Sequence, residues 1–272
     1  MRLGRVGVSA AAAGLAWGHF EAGWVRLETL RCPLPGLASE LAGLRIAHLS
    51  DFHLGVPSRG ATAVERAVQW VEARQPDLTF VTGDLLSRRR AEPRLREVVA
   101  RLPRCYAVLG NHDFAITKDP FSHPVDLVHL EPATLLTDDA RTLELRGKRV
   151  QIVGVDPRTY RRKQARPARL VDPDADLRIL LCHYPEVIDR LPVGAFDLVL
   201  SGHLHAGQIC VPWPTGRLRL AHLRWTYVRG LYRRPAGTLH LSAGLGTTFI
   251  PFRFLARPEA TELILVGESG KT

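Results

Sequence analysis

The sequence predicts an α/β protein, because strand-like and helix-like apolar patterns alternate along the chain. Short apolar runs such as 44–49 and 78–81 are separated by stretches with apolar residues at helical spacing, such as 63–71. With 272 residues, 46% of them hydrophobic, the chain is long enough to bury a large core. A hairpin is also expected at 143–153, where a Gly-containing turn separates two apolar runs.

Five polar motifs directly follow five of the strand-like runs. The motifs are Asp51-Phe52-His53, Gly83-Asp84, Gly110-Asn111-His112-Asp113, His183 and Gly202-His203-Leu204-His205. The runs before them are 44–49, 78–81, 106–109, 179–182 and 198–200. Because ligands gather at the carboxyl ends of strands in α/β sheets, we expect the five motifs to form one pocket.

The residue types in these motifs are those of a two-metal hydrolytic site. Side chains at i and i+2 of an extended segment point the same way, so Asp51 with His53, and His203 with His205, each form a pair of donors. Asp84 is the natural bridge, since two ions about 3.5 to 4 Å apart need a ligand with two oxygens. The sequence therefore predicts two adjacent ions rather than one.

Asn111 adds a neutral oxygen to this set of imidazole and carboxylate donors. Such mixed ligation favours manganese, iron, zinc or cobalt over magnesium or calcium, and the expected nucleophile is hydroxide from water between the ions. Taken singly, a histidine after a strand is often only packed or solvent-facing, and Asp51 alone could cap a helix. The coincidence of five motifs at five strand ends favours the metal site.

The order DxH, GD, GNHD, H, GHxH resembles the calcineurin-like metallophosphoesterase superfamily, over residues 44–259. This resemblance implies a four-layer α/β/β/α sandwich of two mixed sheets. It also implies a hydrolase of phosphodiester or pyrophosphate bonds that uses two divalent transition metal ions, with manganese preferred and iron, zinc or cobalt as alternatives.

The resemblance further implies a role for each motif residue. The first ion would be held by Asp51, His53, Asp84 and His205, and the second by Asp84, Asn111, His183 and His203. His112 would contact the phosphate and protonate the leaving oxygen. Asp113 would be its neighbour in the catalytic machinery.

Several further stretches resemble the membrane-associated bacterial branch of this superfamily. They are Gln208-Ile209, 227–232, 242–247, and Arg253 with Arg257-Pro258-Glu259. That branch includes enzymes that cleave the pyrophosphate of UDP-2,3-diacylglucosamine in lipid A synthesis. The chain departs from the branch's GHTHGGQ pattern at Leu204 and Ala206. Neither residue is an expected ligand, so the departure bears on loop shape and substrate fit.

The apolar stretch 6–20 follows Arg2 and Arg5 and suggests a division into an N-terminal segment, 1–24, and a single catalytic domain, 25–272. A helix of that length reaches only about 22 Å, against about 30 Å of hydrocarbon. An anchor or interfacial helix, a cleaved signal and a soluble surface helix are all compatible with it. We expect association with the cytoplasmic (inner) membrane and leave the membrane face open.

The formal charge of +10 is mostly due to arginine, which is concentrated in 88–90, 158–169 and 217–234. A solvated charged face is one explanation. In 217–234, however, arginines interleave with leucines and aromatic residues, a mixture typical of surfaces that meet anionic lipid headgroups. Segment 158–169 is interpreted either as a basic lid over a pyrophosphate or as a disordered surface loop.

Three function classes follow from these observations. A hydrolase of a phosphorylated lipid or nucleotide-lipid substrate, in contact with a membrane surface, is favoured by the metal motifs and the apolar N-terminus. A nuclease or soluble nucleotide phosphodiesterase would use the same site, but no nucleic-acid module is present and no nucleic-acid partner is expected. A non-enzymatic scaffold would have lost ligands, and no protein partner is predicted. The four cysteines are dispersed and are expected to be buried apolar residues.

Overall fold

Two six-stranded mixed sheets face each other in the computed structural model, which describes residues 2–114, 116–125, 127–214, 216–221 and 226–268. The strands of the first sheet are, in spatial order, β1 (Arg26–Leu34), β14 (Glu259–Gly267), β2 (Arg45–Leu49), β3 (Leu78–Thr82), β4 (Cys105–Val108) and β5 (Thr134–Leu135). Strands β2 to β5 are parallel, and β14 runs antiparallel to β2.

The second sheet has a parallel centre and an antiparallel pair at each edge. Its strands are, in spatial order, β12 (Gly230–Arg234), β13 (Gly237–Leu241), β9 (Leu198–Ser201), β8 (Leu177–Leu181), β7 (Lys148–Gly154) and β6 (Asp139–Leu145). Strands β6 and β7 form the hairpin that the sequence predicts. A separate two-stranded ribbon consists of β10 (Cys210–Trp213) and β11 (Gly216–Arg219).

The sheets bury their facing sides against each other and their outer sides beneath helices. Between the sheets, Ile46 and Phe80 belong to one apolar core with Ile179 and Leu200. Helices α2 (Gly60–Arg74) and α3 (Glu92–Ala100) cover the first sheet. The second sheet is covered by the short helix α4 (Pro157–Arg161) and by the 3-10 helices Pro167–Leu170 and Pro185–Arg190. The predicted four-layer sandwich is confirmed.

The last two turns of helix α1 (Arg2–Glu21) contact the domain. The buried carboxylate of Glu21 accepts hydrogen bonds from the Ala256 backbone amide, at 2.7 Å, and from the Trp17 indole, at 2.9 Å. The Arg253 amide donates to the Gly18 carbonyl at 3.0 Å. Within the described part of the chain, no helix combines the length and the apolarity that crossing a membrane requires.

Segment 217–234 differs in part from the lipid-facing surface that its composition predicts. Tyr227 is buried and its hydroxyl donates to Asp189 at 2.7 Å, while the Tyr232 hydroxyl accepts from the Val228 amide at 2.9 Å. These two aromatic rings pack in the outer core of the second sheet, so they do not form the lipid-facing surface expected for this segment. Leu223 and Trp225 lie outside the described residues.

Segment 158–169 is folded, so its interpretation as a disordered loop is wrong. Helix α4 and the 3-10 helix Pro167–Leu170 both begin at a proline, whose fixed backbone angle suits a first helical turn. Elsewhere, all four cysteines are buried and unbridged, as the sequence predicts.

Candidate metal centre

The five motifs meet at one edge of the sandwich, as predicted. They follow β2, β3, β4, β8 and β9, whose carboxyl ends lie at this edge in both sheets. Two glycines allow the loops to approach closely: a side chain at Gly110 would collide with the Asp84 carboxylate, and one at Gly202 with Asp51. The GNHD and GHxH motifs therefore need glycine at their first positions.

The side chains form two groups that share one carboxylate. The ligand atoms within each group lie within 4.8 Å of one another. The first group is Asp51, His53, Asp84 and His205, and the second is Asp84, His183 and His203. Asn111 joins the second group, because its Oδ1 lies 3.1 Å from His183 Nε2. All of the predicted ligands are thus brought together around Asp84.

Three of the histidines direct one nitrogen each toward Asp84 or Asp51, whereas His203 Nδ1 lies 3.1 Å from His183 Nε2. His183 Nε2 is 3.2 Å and His53 Nε2 is 3.5 Å from Asp84 Oδ2, and His205 Nε2 is 3.3 Å from Asp51 Oδ1. Buried imidazole nitrogens and carboxylate oxygens that face one another this closely suit divalent cations of the borderline type. The donor set therefore fits two such ions, and Asp84 belongs to both groups of donors.

The opposite ring nitrogens are fixed by groups outside the predicted motifs. His183 Nδ1 donates to the Thr82 carbonyl at 2.8 Å, and His53 Nδ1 lies 3.0 Å from the Ser87 hydroxyl. Such contacts hold the ring orientation and the tautomer of a ligand. Sequence reasoning missed Thr82 and Ser87, since nothing in their type or spacing distinguishes them.

Five of the predicted ligands have a left-handed backbone. The φ angles are 54° for Asp51, 46° for His53, 53° for Asp84, 79° for His203 and 48° for His205. Non-glycine residues rarely adopt this conformation, although Asp, Asn and His tolerate it better than most. These turns bring the ligand atoms of the side chains together in the pocket.

Burial and charge control protonation in the centre. Burial opposes ionisation of Asp84, but the neighbouring His183 and His112 hold its pKa well below the usual range. Burial alone would lower the pKa of His183, yet the Asp84 carboxylate raises it to about 9. For His53, burial and His112 together keep the pKa well below its usual value. The two groups therefore differ in their protonation at neutral pH.

We expect metal affinity at the His183 group to rise with pH. His183 must lose its proton before Nε2 binds an ion, so affinity should increase by up to about 10-fold per pH unit below pH 9 and level off above it. Chelator competition between pH 6.5 and 9.5, with proton release measured by calorimetry in two buffers, tests this expectation. Affinities that stay constant for both ions over this range would contradict it.

His112 lies at the entrance to the centre, with Nε2 3.9 Å from Asp84 Oδ2. On its other side, Nδ1 contacts the Ser122 hydroxyl and lies 3.5 Å from the buried Asp119 carboxylate. Asp119 also accepts from the Thr248 hydroxyl at 2.6 Å. The ring is therefore supported by the loop that follows the GNHD motif.

Asp113, expected as a neighbour of His112, is buried among backbone amides of the surrounding loops. Its carboxylate accepts hydrogen bonds from the backbone amides of Leu85, Leu86 and Gly110, at 2.8 to 2.9 Å. Burial, reinforced by the charge of Asp84, raises the pKa of Asp113 to about 7. Asp113 fixes the loops around Asp84, and the carboxylate beside the His112 ring is that of Asp119.

A cleft of about 530 Å³ opens above these residues. Lys118 and Arg161 line it together with Asp84, Asn111 and His112. Two cations near a divalent metal centre favour an anionic substrate such as a phosphate ester. Arg161, which belongs to the segment interpreted as a basic lid, reaches the cleft.

The sequence profile of the calcineurin-like phosphoesterase family matches residues 44–207, which contain all five motifs. The chain belongs to this family. It is a phosphoesterase, and the family's two-metal centre corresponds to the two groups that share Asp84. The Asp and His side chains of these groups thus have the chemistry that the family requires.

Several relatives align over most of the chain. The uncharacterized metallophosphoesterase YkoQ of Bacillus subtilis is 28% identical, covering 80% of this chain and 82% of its own. The UDP-2,3-diacylglucosamine pyrophosphatase LpxG of Chlamydia trachomatis is 28% identical over 92% of both chains. A transmembrane protein with a metallophosphoesterase domain from Danio rerio is 32% identical, covering 86% of this chain and 55% of its own.

Proposed function

We propose that the protein hydrolyses a phosphodiester or pyrophosphate bond in a lipid-linked substrate such as UDP-2,3-diacylglucosamine. The observation that carries this proposal is a cleft with two metal-binding groups at its base and exposed apolar side chains beside it. The similarity to LpxG over nearly the full length of both chains supports the same substrate class.

The catalytic proposal gives each group a step in the reaction. Asp51, His53, Asp84, Asn111, His183, His203 and His205 would hold two ions, with manganese preferred. When bound, such ions polarise a phosphoryl oxygen and lower the pKa of water. Lys118 and Arg161 attract and orient the phosphate at the cleft. His112 Nε2 gives its proton to the departing oxygen, and Asp119 holds the ring for this transfer.

The lipid part of the proposal rests on exposed apolar side chains of α1 and of the 249–254 loop, which we call together the apolar rim. It consists of Leu15, Trp17, Phe20, Trp24, Phe249 and Ile250, whose side chains are 39 to 56% exposed. Contacts between His19 and Phe252, and between Gly18 and Phe254, bring α1 next to the 249–254 loop. Phe249 itself lines the cleft. An acyl chain or a membrane surface would therefore meet the enzyme beside its metal centre.

The test compares three substrates on metal-reconstituted protein: UDP-2,3-diacylglucosamine, bis(p-nitrophenyl) phosphate and single-stranded DNA. We expect the diacylated substrate to be hydrolysed most efficiently. Replacing Phe20 and Ile250 by serine should lower its turnover at subsaturating concentration by about 10-fold, because burial of their exposed apolar area is lost. Turnover of the small diester should stay within about twofold of the wild type.

A matched control replaces Val128 and Val193, which are 66% and 82% exposed and are not part of the apolar rim. The pair V128S and V193S should leave lipid turnover unchanged. Equal losses in the rim and control pairs would contradict a lipid-facing rim. Preferred cleavage of DNA would support a nuclease instead and would overturn the proposed substrate class.

A further inference from the structure

A second cavity, of about 630 Å³, lies over the outer face of the second sheet. It is bounded by the segment from Tyr160 to Arg169 and by the end of the 3-10 helix Pro185–Arg190 with the residues that follow. It shares no lining residue with the metal cleft. Its volume lies within the range of about 300 to 1,000 Å³ that small-molecule sites occupy.

Four cationic side chains line this cavity: Lys163, Arg166, Arg169 and Arg190. In the described part of the chain, none of the four has a carboxylate within 4.0 Å of its charged nitrogens. Nearby arginines outside the cavity are paired, as Arg178 is with Asp197 at 3.0 Å. The four side chains are exposed and carry like charges, and Glu186 attracts Arg190 alone among them, so an anionic ligand would stabilise the group.

The wall between the cations is apolar and rigid. The Tyr160 ring is 8% exposed and stacks on Tyr184 with 4.8 Å between centroids. Val187 and Leu191 complete this wall, and the Arg190 guanidinium lies 4.9 Å from the centre of the Tyr160 ring. An apolar surface of this kind binds the carbon skeleton of a ligand, which an inorganic anion lacks.

We propose that this cavity is a binding site for an organic phosphate. The phosphate group lies among Lys163, Arg166 and Arg169, where arginine pairs with two phosphate oxygens at once. The carbon part of the ligand packs on Tyr160 and Leu191. A phospholipid headgroup and a nucleotide share this chemistry. The site is separate from the metal centre, so it stands whether or not the proposed hydrolysis is correct.

Binding is measured by calorimetry on metal-loaded full-length protein with three probes: dihexanoyl phosphatidic acid, UMP and inorganic phosphate. The double variant R166Q and R169Q removes two cations from the cavity. The pair R89Q and R90Q removes the same charge from exposed positions beside α3, on the opposite face of the sandwich. Metal content and thermal unfolding establish that both double variants are folded.

We expect at least one organic probe to bind the wild type about 10-fold more tightly than inorganic phosphate. R166Q with R169Q should weaken that binding by about 10-fold or more, and R89Q with R90Q by less than about twofold. Leu191→Asn should weaken the binding of the organic probe but not the binding of inorganic phosphate. Preference for phosphatidic acid identifies a lipid source, and preference for UMP a nucleotide.

Two results would overturn the proposal. One is that R166Q with R169Q weakens the binding of neither organic probe, so that all binding of these probes belongs to the metal centre. The other is that the two double variants weaken probe binding equally. The loss would then be due to the lower net charge of the protein and not to this cavity.

Discussion

Asp84→Ala should lower hydrolysis of bis(p-nitrophenyl) phosphate by about 10³-fold or more, because Asp84 is the carboxylate that both metal-binding groups share. Its Oδ1 also accepts the His112 backbone amide at 2.8 Å, so the GNHD loop loses a contact as well. Metal analysis of the purified variant should show both equivalents reduced. Asp174→Ala, at an exposed loop position, is the matched control and should retain activity and metal.

Full turnover with two equivalents of metal in Asp84→Ala would show that the bridging role is wrong. Loss of one equivalent only would place Asp84 in a single group. That result would conflict with the positions of His53 and His183, both within 3.5 Å of the same carboxylate oxygen.

His112→Ala should keep both metal equivalents and lower turnover by about 10² to 10⁴-fold, the usual contribution of general acid catalysis. The loss should be smaller for a p-nitrophenyl leaving group, which needs little protonation, than for an alkyl leaving group. Asp119→Asn should show the same leaving-group dependence with a smaller loss of about 10- to 100-fold, because the ring remains but its carboxylate partner does not.

The comparison of kcat with KM separates proton transfer from phosphate binding. For His112→Ala with an alkyl diester, we expect the change mainly in kcat. Equal defects for alkyl and p-nitrophenyl substrates, with a raised KM, would mean that His112 only positions the phosphate. An unchanged Asp119→Asn enzyme would remove Asp119 from the mechanism.

The metal-binding groups were predictable because strand periodicity and residue type coincide in each motif. A run such as 78–81 fixes a buried parallel strand, and the carboxyl ends of parallel strands meet. Asp119 carries no such signal, since it lies in a long loop whose course depends on contacts with Thr248. The packing of Tyr232 in β12 was equally hard to predict, because alternating arginine and aromatic residues fit both a lipid surface and an amphipathic edge strand.

The left-handed backbone at five predicted ligands has a consequence for the evolution of this protein. Each such turn costs free energy of the order of 1 kcal/mol or more relative to an ordinary conformation. Selection for catalysis therefore retains turns that selection for thermal stability alone would replace with glycine. In a descendant that lost its activity, these positions would be the first to change. Replacement of the ligands by glycine would then indicate a protein that no longer catalyses the reaction.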